Sequence, residues 1–407
     1  MKKCMINILI LIIQYSYSVI IFPFKIEPQI HNSFIENLFS NNLITIIQIG
    51  SNKQNIPIKP STNTSYLFIP GNEIKGKYDE SSSSNYRKRS PQLNTLINEI
   101  YTKGYLTEDN FYFLNSEKKY IENKHFPFFY PTVKGEDKIK TIDAILGFKL
   151  RVEKIRKNDD FIYYLHEYKS INEEVFSVKF FNDTNGEIIL GDFPHIYNDK
   201  IYKEVYYYNT EISNDKWEIS FNKTMSGDKK IDKVKSIFAF DFNCIIGSQN
   251  YKIEILKIFF EKEIKDNKCK ENQFNDYIFF TCDESINIKK IPTLYFENNE
   301  LESKFELNYN DLWVKNEKNW YFLIVFKENA YSWTFGIPFF KKKEFIFEIN
   351  KKRIGLYKIE SSSFLWYIVI FFILIIIIMV YILLFKKKKI KKKKASELLD
   401  EFENNIK

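Results

Sequence analysis

The sequence predicts a mainly β ectodomain built from two similar halves, followed by one membrane-spanning helix. Three observations carry that expectation. Short apolar or alternating runs separated by Asn, Asp, Lys and Gly clusters fill residues 41–357, the pattern of strands joined by turns. Turn-anchored segments recur in the same order in both halves of that region. Near the end of the chain, 22 consecutive residues carry no charge.

At 407 residues and 44% apolar content the chain can fill two substantial cores and falls outside the disordered class. It opens with Met1-Lys2-Lys3, an apolar stretch over 5–13, and small residues at Ser16 and Ser18. That layout predicts a signal peptide over 1–18, since the apolar stretch is too short to span a bilayer. The uncharged run FLWYIVIFFILIIIIMVYILLF, 364–385, spans about 30 Å as a helix, with Trp366, Tyr367 and Tyr381 placed for the interfaces. KKKKIKKKK, from Lys386 to Lys394, opens a basic tail over 386–407. The positive-inside rule puts this tail in the cytosol and the ectodomain in a lumen or outside the cell, a single-pass type I arrangement. The expected address is the secretory pathway, the cell surface or an endosomal or vacuolar membrane.

The formal charge of +8 is concentrated at the ends. The tail holds nine lysines against four acidic residues, and Lys2 and Lys3 account for all but one of the remaining charges. A nearly neutral ectodomain excludes a nucleic-acid binder and leaves the tail lysines to face anionic lipid headgroups.

Of four cysteines, Cys4 leaves with the signal peptide, so Cys244, Cys269 and Cys282 remain in an oxidising compartment. Cys269 and Cys282 flank a polar turn and an apolar strand. A disulfide between them staples a hairpin and contributes about 3 kcal/mol, and the state of Cys244 is left open. Strands are predicted at 43–49, 65–69, 110–113, 177–181, 187–190, 216–221, 236–240, 277–281, 293–296, 320–326 and 344–349, with one helix at 251–264. The tract 75–90, with four serines and Arg87-Lys88-Arg89, reads as an exposed loop, a solvated insertion or a basic processing site.

Ile49-Gly50-Ser51-Asn52-Lys53-Gln54, an apolar strand, the polar cluster Ser61-Thr62-Asn63-Thr64 and Leu67-Phe68-Ile69-Pro70 follow one another. Asp143-Ala144-Ile145-Leu146-Gly147, Phe176-Ser177-Val178, Gly186-Glu187-Ile188-Ile189-Leu190-Gly191, Trp217, Trp333-Thr334-Phe335-Gly336 and Arg353-Ile354-Gly355-Leu356 come after them in order. In this ordered set the region 41–357 resembles the pepsin-like aspartic proteases. The resemblance implies a two-lobed pepsin-like fold with a central cleft, an N-terminal lobe over 41–200 and a C-terminal lobe over 201–358. It also implies a flap hairpin holding Tyr101 and Gly104.

The family's D-T-G-S turn lands on Ser61-Thr62-Asn63-Thr64, and its second aspartate lands on Ala239 in Ser236-Ile237-Phe238-Ala239-Phe240-Asp241. The mechanism the resemblance implies needs two carboxylates about 3 Å apart sharing one proton. With both positions substituted, the expectation is an inactive pseudoprotease whose cleft binds peptides or proteins. The alternatives are an active endopeptidase using a rearranged Asp241, and a non-enzymatic β-rich adhesion or receptor ectodomain. As part of an extended strand, Asp241 stands roughly 6 to 7 Å beyond the dyad position, two residues too far.

Asn182-Asp183-Thr184 and Asn222-Lys223-Thr224 are candidate glycosylation sites, while Asn63, in the cleft floor, is expected to stay unmodified. No G-x-S-x-G, H-E-x-x-H, G-x-G-x-x-G or phosphate-loop pattern occurs. His31, His125, His166 and His195 lack metal-ligand spacing, so neither metal nor cofactor is expected.

Overall fold

A computed structural model describes residues 19–387 except 29–32, 41, 75, 98–99, 134–142, 152–159, 195–201, 210–214, 227–228, 232, 329, 331 and 360–369. The signal peptide over 1–18, His31, His195, Trp366, Tyr367 and the tail beyond Lys387 lie outside the described residues. Two units separate in the fold, Met1–Lys358 and Ile359–Lys407.

The first half of the larger unit runs β1 (Ile20–Ile26), α1 (Phe34–Leu38), β2 (Leu43–Ile49), β3 (Gln54–Ser61), β4 (Leu67–Phe68), β5 (Arg87–Lys88) and β6 (Leu93–Ile97). It continues with β7 (Ile100–Asn115), β8 (Tyr120–Val133), β9 (Ala144–Gly147), α2 (Phe161–Glu167), β10 (Val175–Phe180), β11 (Asn185–Leu190) and β12 (Tyr202–Asn209). The second half runs β13 (Glu218–Phe221), β14 (Lys223–Ser226), β15 (Lys229–Ile231), β16 (Val234–Phe238), β17 (Ile245–Ser248), α3 (Gln249–Phe259), α4 (Glu261–Lys265), β18 (Cys269–Phe274) and β19 (Tyr277–Asp283). Then come β20 (Leu294–Asn298), β21 (Ser303–Leu307), α5 (Tyr309–Leu312), β22 (Trp313–Asn316), β23 (Asn319–Phe322), β24 (Ile324–Lys327), β25 (Trp333–Phe335), α6 (Ile337–Phe340), β26 (Phe345–Glu348) and β27 (Arg353–Ile359).

These strands form sheets of fourteen, nine and four strands. The largest takes its strands from both ends of the unit, in the order β12-β27-β26-β10-β11-β1-β2-β3-β9-β4-β8-β7-β5, with β6 off this path and paired to β7. Alternation explains the faces: in β2 the side chains of Leu43, Thr45, Ile47 and Ile49 are buried, while those between them are half-buried or exposed. β1, which begins two residues after the expected cleavage point, pairs with both β11 and β2 and extends the sheet ahead of the lobe boundary expected at 41.

An aromatic cluster joins the halves. Phe148 and Phe176 sit 4.8 Å apart, Phe176 stacks on Phe347 at 4.6 Å, and Trp217 meets Phe347 at 5.1 Å. The buried indole of Trp217 donates to the Phe148 carbonyl at 2.7 Å, so burying so large a ring leaves no polar atom unpaired.

Several local expectations are met and others shift. Cys269 and Cys282 oppose each other across β18 and β19 and form the disulfide, and Cys244 is a buried free thiol. The predicted helix at 251–264 divides into α3 and α4, with Phe260 between them buried against Phe280 at 4.4 Å. The predicted strand 320–326 breaks at Leu323, whose N–H donates to the Leu312 carbonyl. The tract 75–90 is not a free loop: Tyr78 is fully buried, Ser83 is buried, and β5 pairs with β7.

The smaller unit contains α7 (Ile370–Lys387), long and apolar enough to cross a membrane, with a mean hydropathy of 2.7. Apolar side chains are exposed on every side of it, from Ile370 to Phe385, a surface suited to lipid.

Candidate active site: a serine facing an aspartate

β3 and β9 run parallel, and Ser61 ends β3 opposite Gly147. β16 and β25 repeat this arrangement: Phe238 pairs with Phe335, and the next N–H, that of Ala239, donates to the Phe335 carbonyl at 3.0 Å. A glycine at the end of β9, Gly147, and one just past β25, Gly336, explain how the loops after Ser61 and Ala239 fit. A Cβ at Gly147 would lie 2.6 Å from the Thr64 carbonyl oxygen, and one at Gly336 would lie 2.3 Å from that of Phe242. Thr64 is three residues past Ser61, and Phe242 is three residues past Ala239. The two loops are therefore packed equivalently, with Ser61 and Ala239 at matching positions.

After Ala239 the second loop leaves the extended path expected from sequence. Phe240 is fully buried, 4.7 Å from Phe340 and 6.0 Å from Phe148, and residues 240–241 form a turn. With Phe240 anchored inward, the Asp241 side chain faces the first loop. Ser61 Oγ donates to Asp241 Oδ1 at 2.6 Å, while the Thr62 N–H and Oγ1 donate to Oδ2 at 3.2 and 3.0 Å. The strand-spacing argument that put Asp241 out of reach thus fails: a turn replaces the strand, and the carboxylate crosses to Ser61.

Both loops are tied down. The Ser61 hydroxyl also accepts the Asn63 N–H at 3.1 Å, and the Ser61 carbonyl accepts the Phe148 N–H at 2.7 Å. On the other side, Asn243 Nδ2 donates to the carbonyls of Asn37 and Ser40 at 2.7 and 2.8 Å, and its N–H donates to the Leu38 carbonyl. The contacts to Asn37 and Leu38 satisfy carbonyls at the end of α1 that have no partner within the helix, and the contact to Ser40 holds the segment just after it. The Ile337 N–H completes the clamp on the Phe242 carbonyl.

Burial pushes the Asp241 carboxyl above its usual range, and the three donors from Ser61 and Thr62 oppose that rise. Chemically, the paired loops offer one carboxylate, one serine hydroxyl and one threonine hydroxyl. The side chain of Asn63 is exposed.

The other sequence candidates lie elsewhere. The β6–β7 hairpin pairs Ile97 with Ile100 and Leu96 with Tyr101, so Tyr101 stands one rung from the tip. Its side chain is outside the described residues. Gly104 is buried lower in the hairpin, where a Cβ would lie 2.3 Å from the Tyr130 carbonyl oxygen. Close strand packing explains this glycine. Asn182 and Asn222 are both exposed, though Thr224 of the second motif is buried in β14. His125 and His166 sit near Glu108 and Glu174, and no metal-binding cluster occurs among the described residues. Sequence reasoning missed Thr62, Phe240 and Asn243 as site-building residues. The alternation Phe238, Phe240, Phe242 signalled a buried aromatic but also suggested a continued strand.

A model of the eukaryotic aspartyl protease family matches residues 42–359. The chain belongs to that family. No curated protein matches it. Within an aspartyl protease fold, the paired loops at Ser61 and Asp241 stand where strands from the two halves approach each other.

Proposed function

We propose that this aspartyl protease family member is a membrane-anchored pseudoprotease that holds peptide or protein segments in its inter-lobe cleft without cutting them. The observation that supports this reading is the 2.6 Å contact between the Ser61 hydroxyl and Asp241. Peptide hydrolysis by an activated water needs a base to take the water's proton and an acid to protonate the leaving amide. Asp241 can fill one role, and the serine hydroxyl, unionised at working pH, cannot fill the other. Each lost role lowers the rate on the order of 10² to 10⁴. The signal sequence, α7 and the lysine-rich tail support a type I orientation, with the ectodomain in the secretory pathway and the lysines against anionic lipid.

The same contact favours a second reading, slow proteolysis by the displaced Asp241. One experiment separates the two. Purified protein is incubated with an unfolded protein substrate from pH 3 to pH 7, and fragments are sought by mass spectrometry. Native protein is expected to produce none. Ser61→Asp, which places a second carboxylate beside Asp241, is expected to produce acid-dependent cutting that a transition-state analogue blocks. Fragments from the native chain that vanish in Asp241→Asn would overturn the pseudoprotease reading.

A further inference from the structure

A cavity of about 410 Å³ lies where β1, α1, β22 and α6 come together. Its size is ordinary for a small-molecule site, and none of Ser61, Thr62 and Asp241 lines it. Ile26, Phe34, Leu38, Val314, Leu323 and Ile337 form its apolar wall, aliphatic except for one ring. Lys341 and Lys342, which follow α6, and Asp183 and Asp311 supply its charges.

The two lysines differ in how well their charges are met. Lys342 Nζ donates to Asp311 Oδ2 at 2.7 Å, the same carboxylate oxygen accepts the Asn308 N–H at 2.8 Å, and both side chains of the pair are mostly buried. That pair is complete within the protein. Lys341 is also mostly buried, but its nearest acid is Asp183, 3.7 Å away on a side chain that is 95% exposed. The distance is past hydrogen-bond range, and a carboxylate so well solvated compensates little. Burial accordingly pushes the Lys341 ammonium below the usual lysine range, against the pull of Asp183 and Asp311. The cavity thus presents one poorly matched cation beside an aliphatic wall.

We infer that this cavity binds a medium-chain fatty acid, with the carboxylate on Lys341 Nζ and the alkyl chain along Leu38, Val314, Leu323 and Ile337. A neutral apolar ligand would cover the ammonium without pairing it, which is unfavourable. A dianion such as a phosphate monoester would bring its second charge toward Asp183 and Asp311. A peptide would need partners for its backbone, and the amides of Asn42 and Asn243 are already engaged on the carbonyls of Asn37 and Ser40. A single negative charge on an alkyl chain meets none of these objections.

The test uses the full-length protein in lipid nanodiscs, with empty nanodiscs as the blank. Fluorine-labelled octanoate is titrated by fluorine NMR, and unlabelled compounds are ranked by how well they displace it. Saturable binding with a dissociation constant below about 1 mM is expected. From butanoate through hexanoate to octanoate, displacement is expected to tighten about threefold for each added methylene. Octanol is expected to be at least about tenfold weaker than octanoate. Lys341→Gln keeps much of the stem and removes the charge, and is expected to weaken octanoate about tenfold while leaving octanol unchanged. Val314→Phe narrows the cavity from a half-buried position; it is expected to weaken both ligands, and decides the question if Lys341→Gln does not fold. The inference is overturned if the signal matches empty nanodiscs or if either folded variant binds octanoate like the native protein. It is equally overturned if octanol, octyl phosphate or an apolar tripeptide with a free C-terminus displaces the label as well as octanoate does.

Discussion

At the residue scale, one turn decides the chemistry. Had residues 238–242 continued as a strand, Asp241 would lie beyond reach of Ser61. Burial of Phe240 instead turns the chain so that one carboxylate spans the gap. Sequence made the matching loops at Ser61 and Ala239 legible because the flanking patterns hold their spacing. It concealed the position of Asp241 because alternating aromatic residues are compatible with both a strand and an anchored turn.

A second buried carboxylate allows a pH test. Asp160 caps α2 by accepting the Tyr163 N–H at 2.9 Å, and its other oxygen has no hydrogen-bond partner among the described residues, with Arg151 4.0 Å away. Burial pushes its pKa up to about 6 from the usual value of 3.8. The native state then holds this proton more tightly than the unfolded chain, so the ionisation penalty is absent below pH 4 and fully present above pH 6. Asp160→Asn keeps a good cap and removes the charge. Its melting temperature is expected to match the native protein at pH 4 and exceed it at pH 7, by up to about 3 kcal/mol of stability. A variant less stable than native at pH 7 would refute this.

At the element scale, several strands with one buried face were legible, while β1 and β21, which also alternate, were not. β2 falls where alternation placed it, and β26 lies within its predicted run. β1 was not recognised, because its Ile- and Phe-rich sequence merges with the apolar leader and only its pairing with β11 and β2 distinguishes it. α3 and α4 read as one helix because the apolar period continues through Phe260, although packing on Phe280 breaks the axis there. The β18–β19 hairpin was legible from its cysteines. Replacing Cys269 and Cys282 together with serine is expected to lower stability by about 3 kcal/mol in denaturant titrations. In the native chain, Cys244 is expected to resist thiol reagents until the protein unfolds, and rapid labelling of the folded protein would contradict its burial. Gly147→Ala tests the loop clamp. Contact of its Cβ with Thr64 and Ser65 is expected to cost about 1 to 3 kcal/mol and to loosen the Ser61 turn, seen as faster amide exchange at Asn63.

At the scale of the whole molecule, both ends of the larger unit contribute to one sheet. Val175 pairs with Glu348 and Val178 with Phe345, and β27 lies beyond β26. A chain ended after Ile359 is expected to be released as a folded, soluble ectodomain. One ended after Lys343 keeps every site residue yet is expected to aggregate and to be digested readily by trypsin, because β10 loses one of its two neighbours and becomes a bare edge. Equal protease resistance of the two products would show that the sheet does not depend on its last strands.

That pairing also sets a timetable for biosynthesis. At typical elongation rates β26 is synthesised after β10 by on the order of 10 s. During that interval the β10 edge waits for a partner that is not yet made, open to chaperones or to a neighbouring nascent chain. The segment that relieves it lies just ahead of α7 in the chain, so closure of the sheet falls close in time to synthesis of the apolar helix.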